Sequence, residues 1–428
     1  MIVENYILEK CLGKGAFGEV YLTTLRDDKT KKFATKKLDR NEIERTEAVK
    51  YLKNEIQILQ KLNHPNIVKF ENIKKSKKHF YLIMEYCNGG ELSKALEKYQ
   101  EKYGKPFSQE IVQYLMRQII SAFKYIHENK VIHRDIKLDN ILLNFESEED
   151  KKELNMMKAQ VKIIDFGFAC LISKSGLLYS TLGSPINMDP IILKKLNSNS
   201  KKARQLGYDQ KADIWSIGTI CYEMLIGKSA FDAQDMDELV EKIENGTYSV
   251  PTNLSREVIS FINGMLQYES SKRLNSEQLS QHPFITKDIK DFHPIDMQKV
   301  SKKVDNKGLN IDFKRNKTIW AIFNEEDEKK LAEIDGKEYE QKSGPKRLVS
   351  QENVAINNDK LDPKNIPIKR GITAQIDAMN LNEEGKHGVM LPSKGIPDNP
   401  TNQNIQSFQE GNDQKGTEFS FSGGIFDF

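Results

Sequence analysis

Cysteine is scarce: Cys11, Cys87, Cys170 and Cys221 are the only four in 428 residues, far apart and at no metal-binding spacing. That excludes a disulfide framework and a cysteine-based metal site, and implies free thiols in a reducing compartment. Long hydrophobic runs are also missing, none approaching the ~20 residues needed to span a bilayer. No charged-then-apolar leader precedes the first apolar segment, and Met1-Ile2 lacks the N-terminal glycine that myristoylation needs. The expectation is a cytoplasmic protein with no membrane span. Strong charge of one sign is absent as well: 65 Lys and Arg against 62 Asp and Glu leave +3. The lysines are scattered rather than gathered in a stripe, so solvated faces are expected and no nucleic-acid partner.

What the chain does have is the run His133-Arg134-Asp135-Ile136-Lys137-Leu138-Asp139-Asn140, followed by Asp165-Phe166-Gly167. Phosphoryl transfer needs metal ions on the phosphate oxygens, a positioned acceptor hydroxyl and neutralised charge, with no covalent help from protein. Asp135 can accept the hydroxyl proton, Asn140 can coordinate one magnesium ion, and Asp165 can bridge magnesium to the phosphates; Lys137 can steady the migrating group. Either string alone would ordinarily be solvated surface. Both together, in this order, are not.

An independent group lies upstream. Gly13-Lys14-Gly15-Ala16-Phe17-Gly18-Glu19-Val20 follows Tyr6-Ile7-Leu8 and precedes Tyr21-Leu22, which reads as strand, glycine turn, strand. The glycines let backbone amides approach phosphates without a Cβ in the way. A dinucleotide-binding fold would place a helix after this spacing, and Val20-Tyr21 favour a strand. Lys36 falls where a third strand would carry a phosphate-gripping lysine. Its expected partner is Glu55, because Leu52, Glu55, Ile56, Leu59 and Leu62 recur at helical spacing and place Glu55 beside an apolar stripe.

On these motifs the chain resembles a eukaryotic protein kinase over residues 6 to 285. The resemblance implies an α+β bilobal fold: a small β-rich N-lobe with one main helix (1–86), a hinge, and a larger, mostly helical C-lobe (87–285), with ATP and Mg²⁺ between them. It makes Met84 the gatekeeper and Glu85-Tyr86-Cys87 the hinge. Leu12, Gly13, Gly15, Gly18, Val20, Ala34, Lys36, Glu55 and Leu142 complete the implied nucleotide site. Leu59, Phe70, His133 and Phe166 would stack as an apolar spine. Asp213, in Asp213-Ile214-Trp215-Ser216-Ile217-Gly218, would hold the catalytic loop from below, and Arg273 and His282 would be structural. Lys137 belongs to the serine/threonine pattern, so the expected partners are protein substrates accepting on Ser or Thr. The runs around Asp165, Thr181 to Pro185, and Lys211 to Ile220 resemble the ULK family of autophagy-initiating kinases. Arg134 beside Asp135 implies control by phosphorylation, with Thr181 as the best acceptor and Ser180 and Tyr179 behind it. Ser184 would bond to Asp135 and Lys137.

The chain departs from the family at Ile186-Asn187-Met188-Asp189-Pro190-Ile191, where the usual pattern is x-Y-M-A-P-E. Ile191 replaces a glutamate that pairs with the arginine matching Arg273. Losing one partner of such a pair costs about 3 to 5 kcal/mol, and Asp189 is the nearest carboxylate that could compensate. Ala230 also replaces a frequent proline. Two insertions stand out: Asn144 to Gln160, read as a solvated loop, and Lys194 to Gly207. Apolar periodicity fades after Thr286, giving a partly ordered extension over 286–335 and a low-complexity, disordered tail over 336–428. Ile319 to Phe323, Phe419 to Phe421 and Ile425 to Phe428 are apolar islands, read as local packing or as docking motifs for a partner of the tail. The alternatives to an active kinase are a nucleotide-binding pseudokinase scaffold and an adaptor acting through its tail.

Overall fold

Alternating apolar residues in the first 85 positions build a sheet. A computed structural model of the chain describes residues 1–15, 18–45, 49–171, 184–197 and 207–294, with two strand segments beyond them, Val304–Asp305 and Gly308–Asp312. All of these lie in one compact unit. The small lobe is a six-stranded sheet of β1 (Ile2–Val3), β2 (Tyr6–Gly15), β3 (Gly18–Leu25), β4 (Lys32–Asp39), β5 (Phe70–Lys75) and β6 (His79–Glu85) in the order β1-β2-β3-β4-β6-β5. A short helix α1 (Arg40–Arg45) follows β4, and α2 (Val49–Lys61) buries Leu52, Glu55, Ile56, Ile58 and Leu59. Leu52 and Ile56 pack with Leu38, Phe80 and Leu82 of the sheet, so α2 cannot turn without opening this core.

Register decides what faces the cleft. Lys36 pairs with Val20 on one side and Leu82 on the other, and Ala34 pairs with Leu22 and Met84. Because side chains alternate faces along a strand, Val20, Ala34, Lys36 and Met84 share one face. Gly18 has φ +147°, and a Cβ there would meet the Lys37 carbonyl at 2.0 Å. Its glycine is therefore required by the neighbouring strand, whereas a Cβ on Gly13 would meet nothing within 4 Å.

The large lobe begins with β7 (Gly90–Glu91) and α3 (Leu92–Tyr103), followed by α4 (Gln109–Glu128), whose N-terminus Ser108 caps by accepting from Ile111 N–H. Then come β8 (Val131–Ile132), β9 (Ile141–Asn144), α5 (Glu148–Glu153), β10 (Gln160–Ile163) and β11 (Cys170–Leu171). Next are α6 (Pro190–Leu196) and α7 (Lys211–Ile226), the latter buried almost all round as the axis of the lobe. A Cβ on Gly218 of α7 would meet Leu266 Cδ2 at 2.8 Å, so the neighbouring Arg256–Met265 helix approaches closely there.

The insertion after Asn144 is not the plain solvated loop expected. Ser147 caps α5 by accepting from Glu149 and Asp150 N–H, and Met156 beyond it is 1% exposed in the core. Its acidic run is first-turn helix chemistry, favourable at a helix N-terminus. At the far end, Arg117 donates to the carbonyls of Ile285 (2.7 Å) and Lys287 (2.9 Å), and the Glu257 carboxylate accepts from His293 N–H (2.9 Å). Gly308–Asp312 pairs with Thr247–Val250, adding a strand to the lobe. Ile319 to Phe323 and the tail motifs lie outside the described residues.

Candidate active site

The catalytic loop is hung from Asp213. Asp213 Oδ2 accepts from His133 N–H and Oδ1 from Arg134 N–H, both at 2.9 Å, and His127 Nε2 lies 3.0 Å from Oδ2. Burial alone would raise this carboxyl, but the bonds and charge from His127 and His133 hold it below the ordinary 3.8. With that support Arg134 adopts φ +71°, a left-handed conformation that costs a non-glycine residue. Its Nε donates to the Phe168 carbonyl.

The bend turns Asp135 into the cleft. Its Oδ1 accepts from Ser184 Oγ–H at 2.7 Å, its Oδ2 accepts from Asn140 Nδ2 at 2.8 Å, and Lys137 Nζ stands 3.3 Å from Oδ2. Lys137 also donates to Ser184 Oγ at 3.1 Å. Asn140 Nδ2 spends its other hydrogen on the Asp135 carbonyl at 2.7 Å, which leaves Oδ1 as the atom for a cation. Asp165 follows β10 with φ +61°, and the Ile164 N–H donates to the Asn140 carbonyl at 3.0 Å, tying the two motifs together. His133 lies edge-on to Phe166 with centroids 4.9 Å apart; Leu59 and Phe166 share the main core and Phe70 packs against it.

From above comes Lys36, with Nζ 3.5 Å from Glu55 Oε1. Burial works against the ammonium, yet Glu55 and Asp165 together outweigh it and hold Lys36 above its usual range. Glu55 is pushed up by burial and by Asp165, more than Lys36 pulls it down. Asp165 ends below the ordinary carboxylate range, because Lys36, followed by His133, overcomes its burial. A buried carboxylate, Glu55, and a half-buried one, Asp165, thus share one ammonium. That unmet charge, with an Asp oxygen and an amide oxygen as donors, fits a hard cation such as Mg²⁺. No group of three or more His, Cys, Asp or Glu among the described residues is gathered to cage a metal unaided, so an ion here would complete its shell with phosphate and water.

The other residues expected to hold a nucleotide lie on β2, β6 and β9 and just after β6. Leu12 is 42% exposed on β2, Met84, Glu85 and Tyr86 are half-buried, Cys87 is buried, and Leu142 is half-buried on β9 below. Gly15 closes β2 opposite Gly18; Ala16 and Phe17 lie outside the described residues, as does Thr181. The Glu85 side chain faces structure rather than ligand: Lys162 Nζ is 2.7 Å from Oε1, and Lys69 N–H donates to Oε2 at 3.2 Å. Its N–H is spent too, donating to the Lys69 carbonyl at 2.9 Å. Burial, aided by Glu85, pushes the Cys87 thiol up to about 12. Sequence reasoning missed Lys162 and His127. A lysine inside the apolar run Val161-Lys162-Ile163 was the available signal, since a buried ammonium needs a carboxylate.

The departure at Ile191 also finds its counterpart. Arg273 Nη1 donates to Asp189 Oδ2, with the two side chains 0% and 1% exposed. Among the described residues no helix is long and apolar enough to cross a membrane.

A two-lobed cleft with these groups defines a protein kinase. The protein kinase domain family model matches residues 6–285, and the chain belongs to that family. It is similar to serine/threonine-protein kinase atg1 of Dictyostelium discoideum, 32% identical over 288 residues, covering 66% of this chain and 39% of the relative. Serine/threonine-protein kinase ATG1 of Kluyveromyces marxianus is 32% identical over 338 residues (70% and 39%), and that of Saccharomyces cerevisiae 31% over 321 (67% and 35%). The chain therefore resembles ATG1/ULK serine/threonine kinases and spans between a third and two fifths of the length of these relatives.

Proposed function

We propose that the chain transfers the ATP γ-phosphate to Ser or Thr hydroxyls of protein substrates, with Mg²⁺ at Asp165 and Asn140, in cytoplasmic signalling of the autophagy type. The observation that carries this reading is the network on Asp135. Ser184 already sets a hydroxyl 2.7 Å from Asp135 Oδ1, which supports the carboxylate as acceptor of a proton from an incoming alcohol. Lys137 Nζ reaches both that hydroxyl and the carboxylate, which suits it to follow charge from the acceptor to the phosphoryl group. Lys36, steadied by Glu55, is the group for the nonreacting phosphates. Magnesium, when bound, supplies charge neutralisation on the phosphate oxygens. The similarity to ATG1 kinases supports the serine/threonine assignment and the autophagy-type role.

The test is phosphate transfer by the purified chain from labelled ATP to a Ser/Thr peptide library with Mg²⁺. Turnover is expected, and Asp165→Ala should lower it by at least roughly 10²–10³-fold. Absence of turnover with retained Mg·ATP binding would make the chain a pseudokinase scaffold; absence of both would end the nucleotide reading.

A further inference from the structure

We infer that Asp189 takes over the anchoring charge that the family places at the position of Ile191, and that it is a positioning residue for Ser184 and for peptide docking. The inference rests on the kinase reading above. Arg273 is wholly enclosed: Nε donates to the Gln267 carbonyl (2.6 Å), Nη1 to the Lys211 carbonyl (2.9 Å) as well as to Asp189, and Nη2 to the Tyr268 carbonyl (3.2 Å). The guanidinium lies over Trp215 at 5.0 Å from the ring centroid. Three carbonyls take three of its five N–H donors and leave its charge unmet; Asp189 takes a fourth and brings the opposite charge.

The carboxylate does a second task. Asp189 Oδ1 accepts from Ile191 N–H at 2.6 Å and caps α6, so one side chain both pairs with the cation and starts the helix. A glutamate inside the first turn would have to reach back to Arg273, whereas an aspartate at the cap lies beside it. Upstream, the turn Pro185–Asn187 is pinned to α7: Asn187 Nδ2 donates to Thr219 Oγ1 (2.8 Å), and Ser216 Oγ–H donates to the Asn187 carbonyl (2.6 Å). Four residues separate Asp189 from Ser184, and that short, pinned stretch sets Ser184 on Asp135 and Lys137. The anchor thus acts on the catalytic loop through Ser184, without touching substrate itself.

Three variants of the whole 428-residue chain test this: Asp189→Ala, Asp189→Asn, and Asp189→Ala combined with Ile191→Glu, which restores the family position. Both single variants should lower kcat and raise the peptide KM, by roughly tenfold or more in kcat/KM, with the ATP KM nearly unchanged. Amide hydrogen exchange over residues 185–197 should rise by a similar factor. The double variant should recover most of both. Wild-type kcat/KM and exchange in Asp189→Ala would overturn the inference, and so would a double variant no better than the single one. If Asp189→Ala does not fold, a folded double variant supports the exchange of positions and an unfolded one overturns it. A wild-type chain without turnover would fail the kinase reading alone, since the exchange measurements still read the anchor.

Discussion

The cleft and the base of the large lobe each hold a buried ion pair, and the two are built differently. Lys36 and Glu55 stand 3.5 Å apart with side chains 17% and 7% exposed, and Glu55 also confronts Asp165. Arg273 and Asp189 are 0% and 1% exposed, with further donors closed by backbone carbonyls. The first pair is left short of positive charge and so is ready for a ligand that brings some. The second matches one cation with one carboxylate inside the core. Buried charge marks chemistry in one case and architecture in the other, and the difference is in satisfaction, not depth.

The sharpest way to break this contrast is Arg273→Leu. It strands the Asp189 carboxylate in the core, and chemical denaturation should show a loss of about 3–5 kcal/mol. Glu55→Gln should do the reverse, cutting peptide phosphorylation by roughly 10²-fold while leaving the melting temperature unchanged or higher. The sign follows from Glu55 itself: a carboxyl raised in the folded chain loses stability as pH rises through its interval, so a neutral isostere removes that penalty near pH 7. A third buried group sharpens the comparison, because among the described residues His282 has no charge partner. Its Nδ1 accepts from Phe284 N–H at 3.1 Å, Nε2 lies 3.1 Å from Ser260 Oγ, and burial, with help from Lys287, pulls it from 6.5 down to about 3. The unfolded chain takes up that proton first, so stability is complete above pH 6.5 and declines on acidification, by up to about 1.4 kcal/mol per pH unit. Denaturation curves between pH 7 and 4 should show this slope, flattened in His282→Gln; an unchanged slope would discount the group.

Much of the site was readable in the chain because its chemistry fixes residue types. Asp135, Asn140 and Asp165 announce themselves by order, and Glu55 by helical phase against Leu52, Ile56 and Leu59. The bilobal α+β fold followed from the same motifs. What stayed hidden depends on geometry that letters do not carry. An aspartate before a proline looks the same whether it caps a helix, pairs with a distant arginine or does both, as Asp189 does. Gly18 reads as a phosphate-loop glycine, yet the crowding there comes from the Lys37 carbonyl. The run after Ser147 reads as soluble loop because its acidic residues serve equally as a helix first turn. Lys162 and Glu85 are 77 residues apart, and nothing local links them.

Gly167 carries one last consequence. A methyl group there would sit 3.2 Å from Asp165 Oδ1 and 3.7 Å from Glu55 Oε2. With hydrogen in place of a side chain, the residue lets two repelling acids stay close on either side of its Cα. Even alanine would press on Asp165, which would have to give by a few tenths of an ångström while Glu55 stays at ordinary contact distance, detuning the grip on Lys36 without removing a single functional group.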